Sequence, residues 1–334
     1  MKPTPFIQIC DLEKSFPLKR GLFAHLYQQQ GYKNPHVHAL NGINLSIEKG
    51  EALCVVGETG CGKSTLARVL MGLIAPSKGQ IYYQGQRIDN LTHNERMPFR
   101  KSMQMIFQNP YTSLNPRMTI FQTLSEPVSF HNAKLTKEQV DDKVAELMLS
   151  VDLNPDLSDA YPHEFSGGQR QRISIARALS VDPDFIVADE PLASLDVSVQ
   201  AQVLNLMKDK QQQHNLTYLF ITHDLTVVKH FANRVVVMYL GQVCEIADAN
   251  TLFTQAKHPY TQALISAIPR LDNNAITPIK LAGEVPTPLH KPTGCAFQAR
   301  CHYANDRCRN EVPIPMQIDV STLIACHAVE EERL

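Results

Sequence analysis

A glycine-rich turn restricts this chain to a narrow set of folds. The turn runs from Gly57 to Ser64, reads GETGCGKS and directly follows the apolar run 52–56. Glycines let a backbone surround phosphate groups with its N–H donors, and the helix predicted after the turn points its positive end at them. Strand, loop and helix in this order form the context of a Walker A loop. The sequence therefore predicts an ATP site made of Gly57, Glu58, Thr59, Gly60, Cys61, Gly62, Lys63, Ser64 and Thr65.

Four side chains have predicted roles in ATP chemistry. Lys63 is expected to reach the β- and γ-phosphates, and the Ser64 hydroxyl is expected to bind Mg²⁺. The apolar run 185–188 ends in two acids, Asp189 and Glu190. Asp189 suits the Mg²⁺ shell, and Glu190 suits a general base for the attacking water. An acidic strand end alone also fits a cap for the next element, but the Walker A loop favours the catalytic interpretation.

A second anion site is predicted where another helix begins. The residues Ser166, Gly167, Gly168 and Gln169 precede good helix formers at 173–179. A helix N-terminus carries partial positive charge. In this order the segment resembles the signature motif of the ATP-binding-cassette (ABC) ATPases. Four further positions match motifs of that family, namely Gln108 of the Q-loop, Asp196 of the D-loop, the switch histidine His223, and Phe16. For Phe16 two interpretations remain open, stacking on adenine and a place in the buried core.

The resemblance implies a fold and a mechanism. The fold is an α/β P-loop NTPase of the ABC type, with a RecA-like, mostly parallel sheet, an N-terminal antiparallel β subdomain and a helical signature subdomain. This ATPase domain would span residues 6–250, and a small loop-rich C-terminal extension would span 251–334. Two such domains would pair head to tail over two ATP molecules. Lys63, Gln108, Asp189, Glu190 and His223 would face one ATP, and Ser166 and Gly168 would contact the γ-phosphate bound to the partner.

The tail resembles one branch of the family. Residues 258–264, 283–288 and 294–297 are similar to the C-terminal extension of oligopeptide/dipeptide permease ATPases, as is 109–117, and the dipeptide branch is the most similar. That branch implies a heterodimer with a homologous ATPase, two membrane-spanning permease subunits and, indirectly, a periplasmic binding protein. It also implies a peripheral place on the cytoplasmic face of the inner membrane. Dipeptides are the implied cargo, although haem, aminolevulinate, nickel or longer peptides travel through relatives.

Four of the eight cysteines are concentrated near the C-terminus. Without a secretory signal, such a group binds metal more often than it forms disulfides. The spacing fits neither common zinc folds nor ferredoxins. The resemblance implies a [4Fe–4S] cluster, with zinc and an absence of metal as the alternatives. The predicted metal ligands are Cys295, Cys301, Cys308 and Cys326.

Charge and composition limit the other functions. The chain has 32 Lys and Arg against 33 Asp and Glu, so its formal net charge of −1 gives little attraction for nucleic acid. One alternative is an ABC ATPase that acts on nucleic acid or the ribosome, and another is an iron–sulfur regulator that only binds ATP. Intact Glu190 and His223 argue against the second. Most of the basic segment 14–38 is interpreted as an exposed loop, either solvated or in contact with a membrane or partner.

Overall fold

The computed structural model describes residues 4–17, 36–268, 277–284, 286–287, 289 and 291–334. These residues fall into two compact units. The first unit takes its residues from Met1–Ile47, Leu53–Asp89 and His223–Leu334, and the second from Glu48–Ala52 and Asn90–Thr222.

The strands and helices are numbered in chain order over the described residues. The strands are β1 (Ile7–Pro17), β2 (His36–Ile47), β3 (Ala52–Val56), β4 (Lys78–Tyr83), β5 (Gln86–Arg87), β6 (Met103–Ile106), β7 (Phe185–Asp189), β8 (Thr217–Ile221), β9 (Arg234–Tyr239), β10 (Gln242–Asp248), β11 (Met316–Gln317) and β12 (Leu323–Ile324). The helices are α1 (Lys63–Leu70), α2 (Met97–Ser102), α3 (Pro110–Ser113), α4 (Ile120–His131), α5 (Lys137–Leu149), α6 (Gly167–Leu179), α7 (Val197–His214), α8 (Leu225–Phe231), α9 (Ala249–Gln255), α10 (Pro259–Ser266), α11 (Asp306–Asn310) and α12 (His327–Glu330). Short 3₁₀ turns lie at Pro155–Leu157, Pro162–Glu164 and Gln298–Arg300.

The first unit contains two sets of paired strands. One is an antiparallel sheet in the order β2-β1-β4-β5. The other runs β11-β12-β10-β9-β3, where β3 is parallel to β9 and the remaining pairs are antiparallel. Every residue of β3 is buried, which explains its continuous apolar sequence. The Walker A loop follows directly from this buried strand.

The second unit joins a parallel sheet to a group of helices. Strands β6, β7 and β8 pair side by side, and every residue of β7 and β8 is buried. Three helices, α4, α5 and α6, begin with the same capping box, in which a Ser or Thr hydroxyl and a Gln side chain satisfy each other's backbone N–H. The box predicted at Thr136 and Gln139 is confirmed.

Most of the predicted elements are confirmed, and one interpretation is corrected at its ends. Most of the basic segment 14–38 was predicted to be a loop, but residues 14–17 belong to β1 and 36–38 to β2, with Phe16 paired to Val37. The remainder, 18–35, lies outside the described residues. No helix in the described ranges combines the length and apolarity needed to cross a bilayer.

Candidate active site

The Walker A loop has a backbone that only glycine tolerates at its first position. Gly57 has a φ of 147°, and a Cβ there would lie 2.1 Å from the carbonyl oxygen of Met238. Gly62 has a φ of 106° and caps the N-terminus of α1. The glycines at both ends of the loop are therefore required by its shape. Thr59 and Gly60 between them are exposed, while Ser64 and Thr65 are half-buried.

Lys63 is held inside this loop. Its Nζ donates to the carbonyl oxygens of Gly57 at 2.7 Å and of Glu58 at 3.1 Å, and it lies 3.8 Å from the Cys61 sulfur. The side chain is 5% exposed. The Lys63 ammonium therefore lies within the loop, where it can neutralise the charge of a bound phosphate.

The second unit brings two of the predicted catalytic residues into contact. Gln108 donates from Nε2 to the Glu190 carboxylate Oε2 at 2.8 Å. Glu190 has a φ of 46°, which is uncommon for a residue other than glycine. Its backbone N–H donates to the carbonyl oxygen of Ile221 at 2.9 Å. Strained residues of this kind are concentrated at functional sites. Asp189, the last residue of β7, is buried.

The Ser-Gly-Gly-Gln segment begins helix α6 as predicted. Ser166 is exposed, its Oγ accepts from the Gln169 N–H at 3.3 Å, and the Gln169 side chain accepts from the Ser166 N–H at 2.9 Å. A Cβ at Gly168 would lie 2.4 Å from a methyl group of Val199, so the glycine permits close approach of α7. The helix end is rigidly capped, and its serine faces solvent.

Three further predicted positions lie near the ends of elements. Asp196 is the exposed N-cap residue of α7, and His223 is exposed directly after Thr222 at the end of β8. Phe16 is half-buried with the Lys14 ammonium 5.0 Å from its ring centre, so the alternative of a buried core position is not supported.

Two contacts of Glu58 were not expected from the sequence. The Glu58 N–H donates to the Tyr260 hydroxyl at 2.9 Å. The Glu58 carboxylate accepts two hydrogen bonds from Nη1 of Arg300, at 3.0 and 2.9 Å. The only signal in the sequence is the presence of an acid in a phosphate loop, which needs a cation nearby.

The predicted metal ligands do not form an ion site. Among the residues described, no group of three or more His, Cys, Asp or Glu side chains could hold a metal ion. A zinc ion requires four ligands within about 2.3 Å of one point, so the zinc alternative is not supported. Cys295, Cys301, Cys308 and Cys326 are all free thiols. Burial is the main cause that raises the pKa of Cys295 to about 12, and it also raises the pKa of Cys301 and of Cys326.

The chain is similar to known protein families and to individual proteins over most of its length. A family model described as "ABC transporter" matches residues 40–193, and one described as "Oligopeptide/dipeptide transporter, C-terminal region" matches 244–308. The oligopeptide transport ATP-binding protein AppF of Bacillus subtilis (strain 168) is 46% identical over 325 residues, which are 96% of each chain. The dipeptide transport ATP-binding protein DppF of Haemophilus influenzae (strain ATCC 51907 / DSM 11121 / KW20 / Rd) is 47% identical over 328 residues, 98% of each chain.

A solved structure gives the same assignment. The dimeric ATP-binding cassette MJ0796, solved in a post-hydrolysis state with ADP and phosphate, superposes with a TM-score of 0.64 and 25% identity over 73% of this chain and 98% of that one. Fold and site together define an ATPase of the ABC transporter class. Because AppF and DppF match almost from end to end, the chain belongs to the ATP-binding proteins of the oligopeptide/dipeptide transporter family.

Proposed function

We propose that this chain is the ATP-hydrolysing subunit of an importer for dipeptides or related small peptides. The observation that carries the proposal is the Walker A loop, where buried Lys63 is held against the loop carbonyls at the start of α1. The cargo is inferred from AppF and DppF, whose names specify oligopeptide and dipeptide transport. A two-part organisation, with the ATPase at 6–250 and the extension at 251–334, accompanies this proposal.

Each site residue has a proposed role in ATP hydrolysis. The backbone of residues 57–65 binds the phosphates, and Lys63 neutralises the β- and γ-phosphate charge. Phe16 stacks on adenine, and Ser64 and Asp189 bind Mg²⁺. Glu190 takes the proton of the attacking water, Gln108 positions Glu190, and His223 contacts the γ-phosphate. The support for the pair Gln108 and Glu190 is their hydrogen bond.

The signature helix is proposed to act on the ATP of a partner subunit. Ser166, Gly167, Gly168 and Gln169 lie where α6 starts, and a helix N-terminus stabilises an anion placed against it. Asp196 at the start of α7 would contribute across the same interface. MJ0796 was solved as a dimer, which supports an ATPase pair. In this family a homologous second ATPase would be the partner.

The complete transporter would contain subunits that this chain lacks. Two membrane-spanning permease subunits would receive the ATPase pair at the cytoplasmic face of the inner membrane, and a periplasmic binding protein would deliver peptide.

To test this, the chain is reconstituted in vesicles with its permease subunits, the second ATPase and the binding protein. Peptide-loaded binding protein should stimulate ATP hydrolysis. Failure to assemble, with RNA or ribosomes bound instead, would contradict the proposal.

We also propose that the four C-terminal cysteines bind a [4Fe–4S] cluster. A cubane places each thiolate on a different iron, so its ligands need not converge on one ion. The Cys295 N–H donates to the Cys308 carbonyl oxygen at 2.8 Å, so these two cysteines lie next to each other, and Cys308 and Cys326 are both buried. When bound, the cluster would crosslink this loop-rich segment. Because burial raises the pKa of Cys295, Cys301 and Cys326, these thiols would release protons when they bind iron.

Anaerobic purification tests the cluster. The protein should be brown and contain iron and acid-labile sulfide in equal amounts, and Cys326→Ser should lower both. Cys54→Ser, a buried thiol in β3, is the matched control and should keep the iron content. A colourless, iron-free wild-type protein would defeat this proposal and leave the ATPase assignment intact.

A further inference from the structure

Glu58 places a negative charge inside a loop that binds an anion. It is the only acid among residues 57–65, and Lys63 is the only base. An unpaired carboxylate at this place would repel the triphosphate and offset much of the attraction that Lys63 provides. The nucleotide site therefore needs a second cation close to Glu58.

Arg300 supplies that cation from the C-terminal segment, 242 residues away in sequence. One guanidinium nitrogen, Nη1, lies 3.0 and 2.9 Å from the two carboxylate oxygens of Glu58. The side chains of Arg300 and Glu58 are 10% and 24% exposed, so solvent screens the pair only in part. Hydrogen bonds between charged groups are stronger than hydrogen bonds between neutral groups.

An aromatic cluster holds the same part of the loop. The Tyr260 hydroxyl accepts the Glu58 N–H, and its ring lies 4.8 Å from Tyr239 and 5.3 Å from Phe297, centre to centre. The Arg300 guanidinium lies over Tyr239 at 6.0 Å. The backbone and the charge of Glu58 are thus both set by residues outside the Walker A sequence.

We propose that Arg300 and Tyr260 are positioning residues for ATP, through which the C-terminal segment sets the charge and shape of the Walker A loop. Arg300 balances the Glu58 charge, so nucleotide affinity follows the net charge of this pair. Tyr260 orients the backbone of the loop and leaves its charge unchanged. This inference rests on the proposed binding of ATP to residues 57–65.

A charge series in the full-length chain tests the inference. Binding of a fluorescent Mg-ATP analogue is measured for wild type, Arg300→Gln, Glu58→Gln and the double variant. Arg300→Gln makes the pair negative and should weaken binding about fivefold, while Glu58→Gln makes it positive and should strengthen binding. The double variant is neutral and should return to within about twofold of wild type.

Further measurements separate this role from simple structural support. The loss of affinity in Arg300→Gln should be larger for ATP than for ADP, because ATP carries more negative charge. This loss of affinity should become smaller at high salt, which screens the charges. Arg300→Lys keeps the charge and should recover most of the affinity. Tyr260→Phe should weaken the binding of ATP and of ADP by the same factor. Thermal unfolding of each variant checks its folding.

Two results would overturn the inference. One is Arg300→Gln with wild-type affinity, and the other is a double variant as weak as Arg300→Gln alone. If Arg300→Gln does not fold, Glu58→Gln decides the question. This variant must bind ATP more tightly than wild type, and its gain in affinity over wild type must be larger for ATP than for ADP. If wild type itself binds no ATP, the proposed function fails instead.

Discussion

Replacement of Glu190 by Gln should lower kcat for ATP hydrolysis by about 10²–10⁴-fold, the range that one general base contributes. Gln108 donates to the Glu190 carboxylate, and a Gln side chain at 190 can still accept that hydrogen bond through its amide oxygen. The site should therefore keep its shape and lose only the group that takes the proton from water. Steady-state phosphate release measures the effect, and equilibrium binding shows whether ATP affinity is retained.

The control for this variant is Glu146→Gln, which neutralises an exposed acid on α5 in the same unit. It should turn over ATP at the wild-type rate. In the presence of Mg-ATP, Glu190→Gln should also accumulate as a closed dimer, because ATP binds and is not consumed. Turnover of Glu190→Gln within a factor of two of wild type would remove the base assignment.

Replacement of Lys63 by Ala should weaken Mg-ATP binding by roughly 100-fold, because hydrogen bonds to charged groups contribute about 1.5–3 kcal/mol each. Lys63 is the only base in the loop, and its ammonium already lies against the carbonyls of Gly57 and Glu58. Isothermal titration with a non-hydrolysable ATP analogue measures the loss. ATPase activity should fall in parallel.

A surface lysine provides the matched control for Lys63. Lys229 is exposed on α8, and Lys229→Ala removes the same charge from the same unit. This control should bind the analogue with wild-type affinity. Equal affinities for Lys63→Ala and wild type would exclude Lys63 from the phosphate site, provided that both proteins unfold at similar temperatures.

The sequence predicted the local parts of the site because each depends on neighbouring residues. Three local features have a geometry that depends on residues only a few positions apart. They are the glycines at 57 and 62, the apolar strand that ends at Asp189, and the Ser166–Gln169 capping box. The strand ends at 14–17 and 36–38 were missed because the segment 14–38 as a whole is basic and contains no acid, which suggested a loop. Their partners in β1 and β2 belong to a sheet that a local window does not reveal.

The contacts that join distant residues could not be predicted. Tyr260 lies 202 residues from Glu58, and Gln108 lies 82 residues from Glu190. Residues this far apart meet only through the sheet order and the packing of the tail, which no spacing rule encodes. The cysteine spacing was similarly insufficient, since burial and side-chain direction decide whether thiols converge on one ion.

The most direct test is an image of the ATP-loaded assembly of the Glu190→Gln subunit with its partner ATPase. We expect the Ser166 hydroxyl and the Gly168 N–H to lie within hydrogen-bonding distance of the γ-phosphate held by the Walker A loop opposite. A closed assembly in which Ser166 stands far from every triphosphate would contradict the shared nucleotide site.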